Sequence, residues 1–383
     1  MGLASIVLAL VAALGTLASA ASLAREVAYW SRARINGDGK EPDVTVIIPM
    51  RGVDPGLDDN LARIARQRYG GKVKYVVAVD SPDDPALQVA RRVLPDLKVV
   101  ISDPGNASGK GSALSNALRV VDTDVVVLCD SDVKPHEEWL RRLASRVSPT
   151  TAVTTYRWYI GRSAPALLMA NFSSLGLTGM QTEASRFTWG GSTALHMDFI
   201  RRSGVIDLLP LYLSDDYLIT RKIHELRMKI EFEPSAIVLS LAEDDVRAVF
   251  NWAVRQMWYV KVYGKRAFQA SLASYTVMAL ASLTFLALPL AGWPVLISLL
   301  IFPMGVAKEY VRAVNIARRN PGHAHLINPL LHAAFSIPNL YFSAIVMYAT
   351  LATREISWRG RRYFEGEALK MLEKASIDQY RNG

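Results

Sequence analysis

Apolar residues fall along this chain in segments of two kinds. Long, nearly uncharged stretches occupy residues 3–23, 271–291, 293–307 and 333–352, the later ones broken by Pro289, Gly292, Pro294 and Pro338. Between them, from residue 42 to about 240, shorter runs alternate in period. Val44–Ile48, Val73–Val79, Leu97–Ile101, Val125–Cys129 and Ala152–Tyr156 are apolar and rich in β-branched residues, and predict strands. Asp58–Tyr69, Ala86–Leu94, Ser112–Val121 and Glu137–Val147 predict helices, the first with Leu61 and Ile64 on one face. This alternation predicts an α/β fold: a mostly parallel sheet with helices on both faces.

Residues 3–23 are long enough to cross a bilayer as a helix. Ala18-Ser19-Ala20 imitates a signal-peptide cleavage site, but no cationic segment precedes the stretch, and Arg25, Arg32 and Arg34 follow it. An uncleaved anchor is expected, with the next domain in the cytoplasm. Three crossings in the carboxyl-terminal third would leave Arg354, Arg359, Arg361 and Arg362 outside, against the same charge rule. Either one segment is re-entrant or interfacial, with 293–307 the weakest candidate, or the rule fails here. Three or four spans in all are expected.

Composition agrees with an integral membrane protein carrying one sizeable domain: 51% of residues are hydrophobic and only 21% charged. The net charge of +9 suits an anionic membrane surface. It does not indicate nucleic acid, because the basic residues flank apolar stretches instead of forming an aromatic-interleaved stripe. Cys129 is the only cysteine, which excludes an intrachain disulfide.

The candidate chemistry sits where predicted strands end. Val125–Cys129 delivers Asp130-Ser131-Asp132 to the carboxyl edge of the sheet, where open α/β sheets bind ligands. Carboxylates so spaced suit Mg²⁺ or Mn²⁺, and such an ion suits a diphosphate. A second acidic pair, Asp215-Asp216, is a source of a base for the same cleft. Asp80 ends another strand; it either accepts hydrogen bonds from a nucleotide or belongs to a turn-rich loop capping the next helix. Gly105 to Ser112 is not a P-loop, since Pro104 replaces the first glycine and Gly111 intrudes after Lys110. It still presents Lys110 either to a diphosphate or to solvent. His323, His325 and His332 have no cysteine or carboxylate at ligand spacing and read as a loop between membrane helices.

Taken in order, Pro49-Met50-Arg51-Gly52-Val53-Asp54-Pro55, Asp80 with Asp83-Asp84-Pro85, Gly109-Lys110, Asp130-Ser131-Asp132 and Ser214-Asp215-Asp216-Tyr217 resemble membrane-bound inverting glycosyltransferases of family two. The Arg51 to Pro55 stretch and the anchor–domain–anchor layout look most like the ceramide glucosyltransferase branch. The likeness covers about residues 42–262, and Trp358-Arg359-Gly360-Arg361 with Tyr363 looks like a tail element of related bacterial enzymes. It implies a type-A glycosyltransferase domain in which Pro49, Arg51 and Asp80 border a uridine pocket and Lys110 approaches the donor. It further implies that Asp132 binds the divalent metal, with Asp130 supporting the nucleotide-sugar end. Asp216 becomes the catalytic base with Asp215 as its acidic neighbour, and Gly190 and Gly191 border the acceptor. One motif departs: Met257 stands where the family often has arginine, so either Arg255 or Gln256 substitutes, the element works differently, or it is an amphipathic helix docking on the bilayer; Arg255 and Trp258 are the expected site residues there.

The resulting expectation is transfer of a hexose, glucose favoured, from a UDP-sugar to the hydroxyl of a ceramide-like membrane lipid. The expected divisions are an anchor at 1–24, a cytoplasmic transferase domain at 42–262, membrane helices at 268–353 and a basic tail at 354–383. A mixed apolar and small-residue stretch, 162–187, suits an interfacial helix near the lipid, though core packing accounts for it equally well. A processive polysaccharide synthase and a membrane nucleotidyltransferase use similar carboxylates and are the rival readings.

Overall fold

The computed structural model describes residues 2–33, 39–103, 105 and 107–381. Arg34, Pro104 and Asn106, invoked above, lie outside the described residues. The chain forms two compact units, one of Ile35–Trp158, Gly176–Leu241 and Arg354–Gly383, the other of Met1–Arg34, Tyr159–Leu175 and Ala242–Thr353.

The first unit is built on a seven-stranded sheet in the order β3-β2-β1-β4-β7-β5-β8. Its strands are β1 (Val44–Met50), β2 (Val73–Val79), β3 (Leu97–Ile101), β4 (Val125–Cys129), β5 (Thr151–Thr154), β7 (Ser192–His196) and β8 (Lys229–Phe232). All pairings are parallel except those of β7, which runs antiparallel to both neighbours. Every residue of β4 is buried, as are all but one of β1, because strands at the centre of such a sheet are covered on both faces. The chain steps outward from β1 through β2 to β3, then returns across β1 to place β4 on its other side. The strand order therefore reverses between β1 and β4, and the crevice beyond their carboxyl ends is the expected ligand position.

Helices α2 (Leu57–Ala65), α3 (Pro85–Val93), α4 (Gly109–Leu118) and α5 (Trp139–Ala144) connect these strands; α7 (Met197–Ser203), α8 (Val205–Leu208) and α9 (Asp215–Glu225) follow β7. Strands β6 (Arg157–Ile160) and β9 (Val238–Leu241) and helix α6 (Ala164–Met180) carry the chain between units. Ala166, Leu167, Met169, Ala170, Phe172, Leu177 and Met180 of α6 are buried. A hairpin, β10 (Glu355–Trp358) with β11 (Arg361–Phe364), and helix α16 (Glu365–Arg381) complete the first unit.

The second unit is helical: α1 (Leu3–Arg32), α10 (Val246–Tyr263), α11 (Lys265–Leu283), α12 (Leu288–Ala291), α13 (Ile301–Arg319), α14 (Pro329–Ala334) and α15 (Ser336–Ala352). Among the described residues, three stretches are long and apolar enough to cross a membrane: Leu3–Arg32, Lys265–Ala291 and Trp293–Arg319. The weakest sequence candidate thus belongs to a full-length helix, whereas Ser336–Ala352 is a shorter apolar helix of 17 residues. At 1.5 Å per residue it extends about 25 Å, less than the roughly 30 Å of a hydrocarbon core.

The 293–307 window looked short because Lys308, Glu309 and Arg312 end its apolar run. These charges are accommodated inside the unit. Arg312 donates to Glu26 Oε1 and Oε2 of α1 at 2.8 and 2.6 Å and to Glu309 Oε1 at 3.0 Å. Glu309 also meets His332 Nε2 at 3.1 Å, and Asn171 donates to the His332 carbonyl. His332 therefore does have a carboxylate neighbour, one brought to it by folding from a different helix. Arg312 and Glu26 are each 1% exposed, so this network is a fully internal tie between α1 and α13.

In α10, Ala253, Val254 and Met257 join Phe172, Phe268, Val346 and Met347 in one apolar cluster. That is the physical reason for a methionine at 257, since an arginine there would bury an uncompensated charge. Trp258 is fully buried and Arg255 half-buried, and both belong to this helical unit.

Candidate active site

The parallel strands β1 and β2 end in register, and β4, whose Leu128 pairs with Ile47, ends two residues short of them, so the residues that follow the three strands form one edge. Arg51 follows β1, Asp80 follows β2 and Asp130 follows β4. Because β7 is antiparallel to β4, the start of β7 lies at the end of β4: Cys129 is opposite Ser192, and the Asp130 amide donates to the Gly191 carbonyl at 3.0 Å. The loop Trp189-Gly190-Gly191 is thereby held against Asp130.

The same loop meets the second acidic pair. Ser214 caps α9, accepting from the Tyr217 amide, which puts Asp215 and Asp216 in the first helical turn. The Gly190 amide donates to Asp216 Oδ1 at 2.5 Å. A Cβ at 190 would lie 1.8 Å from Asp215 Oδ2, and one at 191 would lie 2.6 Å from Asp130 Oδ2. Glycine at both positions is what lets two carboxylate pairs, remote in sequence, close around a single strand start.

Lys110, in the first turn of α4, joins them. Its Nζ is 2.9 Å from Asp130 Oδ1 and 3.3 Å from Asp215 Oδ2. Burial alone would strip its proton, but Asp130, Asp215 and Asp216 hold its pKa above the usual lysine value. Arg157 closes the other side, its Nη2 2.8 Å from Asp130 Oδ2 and its Nη1 2.9 Å from Asp132 Oδ2, with its guanidinium 4.6 Å above the Trp189 ring. Burial would raise the Asp130 pKa, yet Lys110 and Arg157 keep it below the ordinary carboxylate range. Asp216 behaves oppositely: burial first, and the Asp215 charge second, push its pKa up to about 7. Two buried acids of one cluster, Asp130 and Asp216, are thus pushed in opposite directions by their surroundings.

The Asp80 loop answers both alternatives. Asp84 is the helix cap, accepting from the Ala86 amide at 2.9 Å and from Gly52 at 2.9 and 3.1 Å. Asp80 caps nothing and faces Arg51 at 3.3 Å and Arg361 at 3.4 Å. Pro49, on β1, is half-buried. The residue missed from sequence is Arg157; an ion pair made across the fold leaves no local pattern.

Among the described residues, no group of three or more His, Cys, Asp or Glu side chains forms a ready-made metal cage. Asp132 nonetheless fits a divalent ion: its carboxylate is 41% exposed, while its Oδ1 is buried and accepts no hydrogen bond. A buried anionic oxygen without a hydrogen-bond partner is the donor type that Mg²⁺ or Mn²⁺ takes.

Against known proteins, the fold is similar to a mannosyltransferase from Pyrobaculum calidifontis solved with GDP-Man and Mn²⁺, with a TM-score of 0.50 and 19% identity over 87% of this chain and 99% of that one. A mannosyl-3-phosphoglycerate synthase from Rubrobacter xylanophilus matches at TM-score 0.36 and 16% identity, over 57% and 72% of the two chains. A glucosyl-3-phosphoglycerate synthase from Mycobacterium tuberculosis matches at TM-score 0.35 and 14% identity, over 57% and 79%. The type-A glycosyltransferase fold is therefore as expected. The family that matches is numbered 21, not two: a model described as glycosyl transferase family 21 covers residues 6–367. With nearly the whole chain inside that match, this protein belongs to glycosyl transferase family 21 and is a glycosyltransferase.

Proposed function

We propose that this glycosyltransferase moves a hexose, glucose favoured, from a UDP-sugar to the hydroxyl of a ceramide-like membrane lipid, with inversion, at the cytoplasmic face. The observation that carries the reading is the Lys110 ammonium held between Asp130 and Asp215. It supports a single centre in which a donor-binding acid pair and a base-bearing pair work on one substrate.

Asp216, with a pKa about 7, is suited to take the acceptor hydroxyl proton at neutral pH. As the acceptor oxygen bonds to the anomeric carbon, the bond from that carbon to the diphosphate oxygen breaks and its electron pair leaves with the nucleoside diphosphate. One displacement inverts the anomeric centre. Asp132 would hold a divalent cation, which when bound supplies Lewis-acid stabilisation of the leaving diphosphate. Lys110 keeps Asp130 ionised, and Arg157 fixes the orientation of Asp130 and Asp132. Arg255 and Trp258 are proposed as site residues on the family resemblance alone.

The apolar helices support a lipid acceptor, and the branch resemblance supports ceramide over diacylglycerol or a polyprenyl phosphate. Lipid mass spectrometry of cells with and without the gene product tests donor and acceptor together, and a lipid class shifted by one hexose is expected. A polymeric product or no lipid shift would overturn the acceptor assignment. Asp216→Asn should abolish transfer, at least about 10²-fold, while sparing donor binding; near-normal turnover would overturn the base assignment.

A further inference from the structure

The carboxyl-terminal hairpin carries chemistry that the site described above does not use. Its strands pair with Trp358 opposite Arg361, leaving Arg359-Gly360 as a two-residue turn with φ of 50° and 73°. Positive φ at both turn positions is the geometry that suits the twist of a tight hairpin, and Gly360 supplies it at no steric cost. The turn brings Arg359 and Arg361 to the ends of β1 and β2. Arg359 donates to the Arg51 carbonyl at 2.9 Å and to Asp54 Oδ1 at 2.5 Å. Arg361 donates to the Gly105 carbonyl at 3.2 Å and faces Asp80 Oδ2 at 3.4 Å. Tyr363, on the same strand, takes a hydrogen bond from the Gly109 backbone at the start of α4.

Charge at this corner does not balance. Arg51 and Arg361 both converge on the one oxygen Asp80 Oδ2, so one cation more than the carboxylate can neutralise is held there. Arg361 Nε is buried and has no hydrogen-bond partner, although a guanidinium presents its donors as a planar fork. Nε also lies 3.6 Å from where a Cβ on Gly109 would be, close to the Lys110 turn. A surplus guanidinium with one unused donor, Nε, and one long contact at Nη2, beside a buried lysine, matches a phosphate oxygen pair.

We propose that Arg361 is a donor-binding residue that takes a phosphate of the nucleoside diphosphate, and that the 355–364 hairpin thereby completes the donor site. Arg359 is a positioning residue, fastening the turn to Asp54. The inference rests on the donor reading above and adds to it the residue that recognises the diphosphate.

The test is calorimetric binding of UDP, GDP and uridine, with Mn²⁺, to the full-length protein and to Arg361→Gln and Arg361→Lys. Wild type should prefer UDP to uridine. Arg361→Gln should lower that ratio about tenfold by weakening UDP alone, and Arg361→Lys, which keeps the charge but loses the fork, should fall between. Arg359→Gln should weaken UDP binding and the melting temperature together. An unchanged UDP-to-uridine ratio in both Arg361 variants overturns this inference and leaves the donor reading standing. Wild type that binds neither UDP nor GDP overturns both. If Arg361→Gln does not fold, the ratio in Arg361→Lys decides.

Discussion

Lys110 Nζ lies 2.9 Å from Asp130 Oδ1, inside a cluster that holds Asp215 and Asp216 as well. Its positive charge opposes the burial that raises Asp216. Asp216 acts as a base only when ionised, so the transfer rate should climb about tenfold per pH unit below about 7 and level off above it. Lys110→Met removes a charge that favours the carboxylate, and should move that midpoint to higher pH while lowering the plateau. A pH–rate profile of both proteins checks the direction of the shift.

Gly190 permits no side chain. The Cβ of Gly190→Ala would overlap Asp215 Oδ2 and crowd Asp216 Oδ1. Backbone movement of the Trp189–Gly191 loop would then displace both carboxylates. Activity should fall at least about 10²-fold, since small misplacements of reacting groups cost that much, with a stability loss of only about 1–3 kcal/mol. Parallel activity and melting measurements separate the two effects.

Asp132 offers the free anionic oxygen. Chelation should abolish transfer and added Mn²⁺ or Mg²⁺ should restore it. Asp132→Asn should need a higher metal concentration for half-maximal activity and should leave metal-free UDP binding intact. Metal titration of both proteins reads this out.

Arg312 neutralises Glu26 and Glu309 where no water replaces it. Arg312→Met removes the guanidinium that pairs with the buried Glu26 and Glu309, and should cost about 3–5 kcal/mol. Glu26→Gln combined with Arg312→Met should cost less than the sum of the two single changes, because the residues share one network. Thermal unfolding in detergent measures both.

Much of the catalytic unit was legible before folding. β1, β4 and most of β2 are buried on both faces and so appear as continuous apolar runs, and the acids that end β2 and β4 stand out against them. β7 was not legible: Ser192-Thr193-Ala194-Leu195-His196 is mixed in polarity and follows two glycines, so no strand period stands out. The role of its antiparallel direction, bringing Gly191 to Asp130, has no sequence signal at all. The hairpin was equally hidden, because Glu355, Arg361 and Arg362 give it the look of a charged tail. In the helical unit, charges paired through tertiary contacts cut an apolar window short and disguised a full-length helix. Local patterns report what each residue needs; they do not report a partner that lies far along the chain.

The docking of the hairpin also fixes an accounting rule for the membrane. A polypeptide that leaves a domain at Leu241 and rejoins it at Arg354 has made a round trip, and any barrier it pierced going out it pierced again coming back. Lys265–Ala291 and Trp293–Arg319 are the candidate outbound and return pair, and Ser336–Ala352 is a shorter apolar helix between them and the hairpin. The arginines at 359 and 361 then share a compartment with Asp80 and Asp54, as their ion pairs demand. An epitope appended after residue 383 and one inserted in the catalytic unit should be digested together, or protected together, when sealed vesicles meet protease.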